Sequence, residues 1–552
     1  MATNQQLYWF IKQIRPYRYS RRRVYYLPAF HQVNHHVGVN SFCQIPKSAN
    51  FGQEKTMIST FNLAASINKE HYKWIVFYLL IVLAVLQLFI ALLTNGFALS
   101  QDEAMWHYIG RNWFRNGLVP YQGGADNKSP LFYAIFGLSD RLFGVNYWFP
   151  RVLGTLCQSA GTYFLYKIAD QLAGKHAGLL AVSFYGLSTL WHGADGRYVS
   201  YTETYDITFI IISFYLFLSA QTKTRVFISG LMAITGLIFR LSAFFGIVTL
   251  VLMAFRKGRT SAFIFCAGLL TGFLALTLAG IFAGIDLRDV YFYAIADNFG
   301  AGSTTDHGFL WRTEQFYNLF FYSEVILFYP LVLVYLFVKG RFDWLLLWLT
   351  SAFTGINIVG NYARVDMKDL LPAMALTGAF SLAHLIELWQ ISFRKVLFIV
   401  WICFSPKLIE PFVNFKRLFT GKFQKAEVFC TEPFIAPDED ASRQLGLWVK
   451  ANTRERDKVY VAGYGAQVQV YSERISPSIY FNATQTRAAK ERLYWDLKKN
   501  TAEVILVPLF PDYKKWIDPD LRMYIDHLVA SNYYFDGCLF NYSIYKLKKS
   551  KR

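Results

Sequence analysis

The stretch LTNGFALSQDEAMWHYIGRNW, residues 93–113, decides how this chain is read. An apolar run that begins near residue 74 ends inside it, and two adjacent carboxylates, Asp102 and Glu103, follow at once. Ser100-Gln101-Asp102-Glu103 has the form of a capping box, in which Ser100 caps a helix and Glu103 reaches back to it. Asp102 also suits the positive end of that helix, EAMWHYIGRNWFRNG. A capping role and a chemical role for the two acids are compatible, and both stay open at this point.

Outward from there, the chain is apolar in blocks. Of its 552 residues 54% are hydrophobic, 18% aromatic and 17% charged, and the mean hydropathy is positive. Soluble domains carry about 25% charged residues. The net charge of +19 would suit a nucleic-acid binder in size but not in placement. It concentrates in the first 56 residues, including RYSRRR, and in short loops between apolar blocks, as a membrane protein uses Lys and Arg. We therefore expect a membrane partner and no nucleic acid.

A bilayer crossing takes about 20 apolar residues. Eleven segments are candidates: 74–98, 149–170, 176–193, 204–220, 225–239, 241–255, 260–284, 319–338, 342–360, 369–388 and 393–412. The connections GKH, QTKTR, FRKGR, VKGR and SFRK follow every even-numbered candidate and are basic. Positive-inside bias then puts the N-terminus in the cytoplasm and the C-terminus outside, with Arg240 at an outer turn. The expected organisation is a basic, disordered segment 1–73 (with Met57 an alternative start), a transmembrane domain 74–412 and an extracytoplasmic domain 413–552.

The last domain reads as α/β. DEDASRQLGLWVKAN and TRAAKERLYWDLKKN have helical periodicity, whereas KVYVAG, AEVILVP and YSIYKL are strand-like. It contains no phosphate-binding glycine motif. Its acidic runs at Asp438, Glu439 and Asp440 and at Asp518 and Asp520 sit where helices begin and read as caps. The six cysteines have no metal spacing. Cys430 and Cys538, alone in the outer domain, are candidates for a bridge or for two buried thiols.

Threaded this way, the polar residues that are unusual for a membrane domain gather on the outer side. They are Asp102, Glu103, Lys128, Arg151, Asp195, Arg197, Glu203, Arg240, Arg364 and Lys368. Ionisable groups near hydrocarbon line cavities or pair with one another. A mixed-sign cluster suits a substrate bearing an anion and a hydroxyl. Lys128, Arg151 and Arg364 also have the simpler reading of interfacial anchors. Glu203, at the start of a span, gains little there, and Glu324 stands inside one.

The first outer loop, with its acidic pair and GLVPYQGGADNKSPLFYAIFGLSDRLFG, resembles the bacterial members of the protein O-mannosyltransferase superfamily, which includes the aminoarabinose transferases of lipid A. PRVLGTLCQSAGTYFLYKIADQLAGKHAGLLA, YTETYDITF and LLPAMALTGA extend the resemblance over about residues 74–390. The family's Lys-x-Pro element followed by an aromatic is here Lys128-Ser129-Pro130 with Phe132 and Tyr133. GNYARVDMKDLLPA departs from the family in lacking a Tyr or His-Tyr directly before LLP.

The resemblance implies a polytopic α-helical GT-C fold and an inverting glycosyltransferase. Such an enzyme moves a sugar from a polyprenyl-phosphate donor to a hydroxyl or phosphate of a lipid, glycan or protein at the outer face of a bacterial inner membrane. Asp102 matches the family's catalytic acid, with Glu103 beside it. Lys128, Arg364, Lys368 and Arg240 are the candidate donor-phosphate ligands, and Glu203, Arg151 and Tyr133 the candidate substrate contacts. Two or three cations suffice for a lipid monophosphate, so no metal or other cofactor is required. The aromatic loop 285–318 is expected to cover the lipid donor. An O-antigen polymerase or ligase is the alternative enzyme. A lipid-linked-sugar flippase is the alternative transporter, though the inverted repeats and mid-depth broken helices of that class are not evident.

Overall fold

The computed structural model describes residues 69–93, 98–192, 196–297, 310–311, 313–314, 329–339, 343–359, 364–404, 430, 439–482, 487–510, 517 and 519–548. All belong to the compact unit Met57–Arg552. Asp195, Glu324 and the side chains of Arg197 and Arg364 lie outside the described residues, as do 298–309, 312 and 315–318 of the aromatic loop.

The apolar blocks are helices: α1 (Lys69–Leu93), α4 (Trp148–His192), α5 (Thr202–Leu218), α6 (Lys223–Phe239), α7 (Ala243–Lys257), α8 (Arg259–Phe282), α9 (Tyr329–Lys339), α10 (Trp344–Val359), α11 (Leu371–Leu388) and α12 (Phe393–Phe404). Between α1 and α4 lie the shorter α2 (Gln101–Asn116) and α3 (Pro130–Phe143). The candidates 149–170 and 176–193 share α4, which breaks at Gly174, where φ is 80°. Only glycine takes that conformation without strain. Among the described residues, three helices are long and apolar enough to cross a membrane: Tyr72–Leu93, Arg259–Phe282 and Leu371–Leu388. Trp74, Phe77 and Tyr78 on α1 and Phe263, Leu270 and Phe282 on α8 point outward. Exposed apolar surface on that scale suits lipid rather than water. The chain is a helical membrane protein.

The C-terminal part carries a four-stranded sheet in the order β1 (Val459–Val461), β2 (Val504–Pro508), β4 (Tyr542–Leu547), β3 (Tyr533–Leu539). β1 and β2 are parallel, joined through α14 (Ala466–Ser472) and α15 (Arg487–Lys499), while β4 is antiparallel to both of its neighbours. α13 (Glu439–Asn452) precedes the sheet, and α16 (Pro519–Asn532) leads into β3.

Packing does not stop between this part and the segment between α1 and α4. One apolar core runs from Trp106 and Phe132 through Tyr201 and Tyr205 to Val461, Val468 and Ile505. Polar bonds reinforce the seam: Leu99 N–H donates to Tyr471 Oη (2.9 Å), Gln467 Nε2 to the Leu99 carbonyl (2.9 Å) and Arg111 Nη1 to the Val470 carbonyl (2.5 Å). The sheet is thus a wall of the region that holds Asp102.

Cys430 and Cys538 form a disulfide, with Cα atoms 6.0 Å apart and a sequence separation of 108. It ties the approach to α13 onto β3. By the chain-entropy estimate a loop of that length contributes on the order of 4–5 kcal/mol. Maleimide should leave both thiols unlabelled until a reductant is added. Changing both residues to Ser should lower the melting temperature of the solubilised protein by several degrees; labelling of both in unreduced protein would remove the bridge.

Candidate active site

The capping box predicted from sequence is formed. Ser100 Oγ accepts the Glu103 N–H (3.3 Å), and Glu103 Oε2 accepts the Ser100 N–H (3.0 Å). Glu103 does more than cap. It is fully buried and takes Arg151 in a fork, Nε to Oε1 at 2.8 Å and Nη2 to Oε2 at 2.6 Å, while Ser200 Oγ donates to Oε1 at 2.8 Å. Arg151, also fully buried, donates from Nη1 to the Ala91 carbonyl at 2.7 Å. This ion pair joins the end of α1, the start of α2, the start of α4 and the turn Gly196–Ser200. Burial pushes the Glu103 carboxyl up, but the Arg151 charge and the hydrogen bonds from Arg151, Ser100 and Ser200 outweigh it and hold it below the usual carboxylate range. Both residues were expected to face substrate. The structure commits them to each other instead.

Asp102, one residue before Glu103 on the same turn, is partly exposed. Its Oδ2 accepts the Tyr201 hydroxyl at 2.6 Å. Among the described residues no hydrogen bond reaches Oδ1. From the C-terminal part, Asn482 Oδ1 accepts Gln101 Nε2 at 2.5 Å. Tyr464 lies near enough for the Asp102 charge to add to the rise that burial gives its hydroxyl.

Lys128 is half-buried in the irregular loop before α3. Its charge reaches Asp126 and Glu203. Among the described residues no carboxylate comes within ion-pair distance of its ammonium, so that charge is available. Tyr133, expected to touch substrate, is instead fully buried and accepts the Lys128 N–H at 3.1 Å. The aromatic loop approaches the same place: Tyr293 stacks on Tyr121 at 5.2 Å, and Tyr121 donates to the Lys128 carbonyl at 2.7 Å.

Arg240 does not present a free charge. Its guanidinium meets Glu203 (3.3 Å), Asp366 (2.5 Å) and Asp369 (3.2 Å). Glu203, expected to contact substrate, is therefore the near wall of a buried charge cluster. Lys368, 3% exposed, donates to the Tyr198 carbonyl (2.6 Å) and Thr204 Oγ1 (3.1 Å), which leaves the third of its three N–H donors. Sequence reasoning missed Asp366, Asp369, Asp206, whose Oδ2 accepts the Ser242 hydroxyl at 3.3 Å next to this cluster, and Asp126. The first three sit in DMKD and YDITF, whose acidic residues had only spacing, not a motif, to mark them. Asp126 stands two residues before Lys128. No group of three or more His, Cys, Asp or Glu side chains disposed to hold a metal occurs among the described residues.

The segment between α1 and α4 of this membrane helix bundle thus carries both a partly exposed carboxylate, Asp102, and a lysine, Lys128, that no carboxylate pairs among the described residues. Residues 127–281 match the family model described as dolichyl-phosphate-mannose-protein mannosyltransferase. The fold is similar to that of ArnT from Cupriavidus metallidurans in the apo state, with 12% identity, a TM-score of 0.53, and coverage of 86% of this chain and 98% of that one. The undecaprenyl-phosphate-bound form of the same protein aligns at 13% identity and a TM-score of 0.49, covering 87% and 98%. The oligosaccharyltransferase of Archaeoglobus fulgidus, in complex with Zn and sulfate, aligns at 10% identity and a TM-score of 0.49, covering 84% and 72%. No curated protein sequence matches the chain.

Because Glu103 and Arg151 are buried together, removing one leaves an uncompensated charge, at about 3–5 kcal/mol. Glu103→Gln should lower thermal stability by that order, and Glu103→Gln/Arg151→Met should recover part of the loss. A single variant as stable as the wild type would contradict the anchoring role. The depressed carboxyl of Glu103 also makes its contribution fully present above the ordinary Glu range and lost as pH falls through its folded value.

Proposed function

We propose that the protein is an inverting glycosyltransferase that moves a sugar from a polyprenyl-phosphate donor to an acceptor hydroxyl on a lipid, glycan or protein. The observation that carries the reading is Asp102, held by Tyr201 with its other oxygen open, on the same loop system as the available charge of Lys128. In this reading Asp102 takes the acceptor's proton as its oxygen attacks the anomeric carbon. The bond from that carbon to the phosphate oxygen breaks, and the lipid phosphate leaves with its charge facing Lys128 and Lys368. Lys128 directly precedes Ser129 and the start of α3, a helix end that favours anions. The name of the matched family includes a polyprenyl-phosphate sugar, which favours this donor class over a pyrophosphate. Arg240 falls out of the phosphate set because three carboxylates hold it.

The topology that goes with this chemistry has eleven crossings in a bacterial inner membrane, the N-terminus in the cytoplasm and the sheet outside. Two features support it. The basic loops alternate along the chain, and the Cys430–Cys538 bridge suits an oxidising compartment. On that face a donor carried across on a lipid needs no nucleotide, and two lysines neutralise a monophosphate without a metal.

Asp102→Asn should abolish transfer, by at least about 100-fold in kcat, while melting as the wild type does, since Asn suits a helix start as well as Asp. Near wild-type turnover would remove Asp102 as the base. Lys128→Ala should weaken donor binding, and Lys128→Arg should restore part of it with altered geometry.

A pH dependence follows from Lys368. Burial holds its ammonium down to about 8, against the opposing pull of Glu203 and Asp206. It is charged below that pH and neutral above it, so donor affinity should fall as pH rises through about 8. In Lys368→Arg that step should vanish, because guanidinium stays charged. A step unchanged in the Arg variant would assign it to another group.

A further inference from the structure

Asp126 is a buried charge that the reaction above does not use. It is 4% exposed and lies at the base of the loop that presents Lys128. Its Oδ2 accepts Trp106 Nε1–H at 3.0 Å and the Tyr133 hydroxyl at 3.4 Å. The Tyr133 oxygen in turn accepts the Lys128 N–H at 3.1 Å. An unbroken chain of bonds therefore leads from α2, which carries Asp102, through Asp126 and Tyr133 to the backbone of Lys128.

The loop needs such a chain. Tyr121 adopts a left-handed conformation, φ 72°, although it is neither glycine nor asparagine. For such a residue this costs on the order of 1–3 kcal/mol and persists only where the surroundings over-determine it. Here those surroundings are the Tyr293 ring and the Lys128 carbonyl. The Tyr121 hydroxyl holds Lys128 from its carbonyl side, and the Tyr133 hydroxyl holds it from its amide side. Only the second contact leads back to a charged group. A buried carboxylate is expensive to keep. Burial pushes the Asp126 carboxyl up, against the opposing pull of Lys128, the Asn127 amide and Trp106. A neutral side chain of the same size would fill the space at less cost if packing were the sole requirement.

We propose that Asp126 is a positioning residue for the donor phosphate: through the Tyr133 hydroxyl it fixes the backbone of Lys128, and so the place where the lysine ammonium meets the lipid phosphate. The inference rests on the reading of Lys128 as a phosphate ligand and adds to it a residue that never touches substrate.

The test measures binding of undecaprenyl phosphate, a lipid monophosphate without a sugar, to purified full-length protein in detergent. Asp126→Asn, Tyr133→Phe, Lys128→Ala and the double variant Asp126→Asn/Lys128→Ala are compared, with melting curves for each. The expected result is a loss of about tenfold in affinity for Asp126→Asn and for Tyr133→Phe, and no further loss on adding Asp126→Asn to Lys128→Ala, as for residues acting through one contact. With a glycosylated donor the KM should rise more than kcat falls, whereas a general loss of folded protein would lower the apparent kcat alone. Wild-type affinity in both single variants, or losses that multiply in the double variant, would overturn the positioning role while leaving Lys128 in the site. Wild-type affinity in Lys128→Ala would overturn the phosphate reading and the positioning role together. Should Asp126→Asn fail to fold, Tyr133→Phe, which removes one hydroxyl from the chain of bonds, decides the matter.

Discussion

The geometry of the site depends on one buried ion pair, Glu103 with Arg151. Both side chains are out of water, so their attraction stands only because every charged oxygen and most of the guanidinium also make hydrogen bonds. Those partners come from the end of α1, the cap of α2 and the turn before α5. The pair therefore fixes where α1 ends and where α2 begins. Asp102 inherits its position: a helix advances about 100° per residue, so anchoring Glu103 inward turns Asp102 toward Tyr201 and the partly exposed side.

Around that anchor, the charges divide by what they can still do. Arg240 is spent on Glu203, Asp366 and Asp369, and the cluster braces the turns between α6 and α7 and before α11. Two of the three Lys368 donors are committed, and among the described residues no carboxylate pairs with Lys128. Such a gradient separates side chains that shape a cavity from those that can meet an anion. The C-terminal part completes the region: it grips residues 99, 101 and 111 by hydrogen bonds and shares an apolar core with α2 and α3. Its removal would expose that core and free the first turn of α2.

Much of this was legible in the sequence, and the failures have physical causes. Apolar length marked the membrane helices, and three strands and two helices of the C-terminal part were readable from periodicity and β-branched content. The basic connection GKH marked the break at Gly174, where the backbone leaves the helix and separates the two apolar candidates. Asp102 and Lys128 were visible because they stand in a motif. Glu103, Arg151 and Arg240 were visible as unusual residues, but their pairings, some between positions 48 and 129 apart in the chain, were not. A charge in an outer loop looks the same in sequence whether it waits for substrate or is neutralised by a distant carboxylate. The boundary drawn near residue 413 likewise marked a change in composition, whereas the core that crosses it depends on contacts such as Tyr108 with Ser476 and Phe481.

The most direct measurement is the stereochemistry and donor requirement of a single turnover. Purified protein would be given a polyprenyl-monophosphate sugar of known anomeric configuration and an acceptor alcohol, without nucleotide or ion gradient, and the product's anomeric proton read by NMR. The account predicts release of polyprenyl phosphate and a glycoside of inverted configuration. A retained configuration, or turnover that occurs with a pyrophosphate donor and not with the monophosphate, would contradict it.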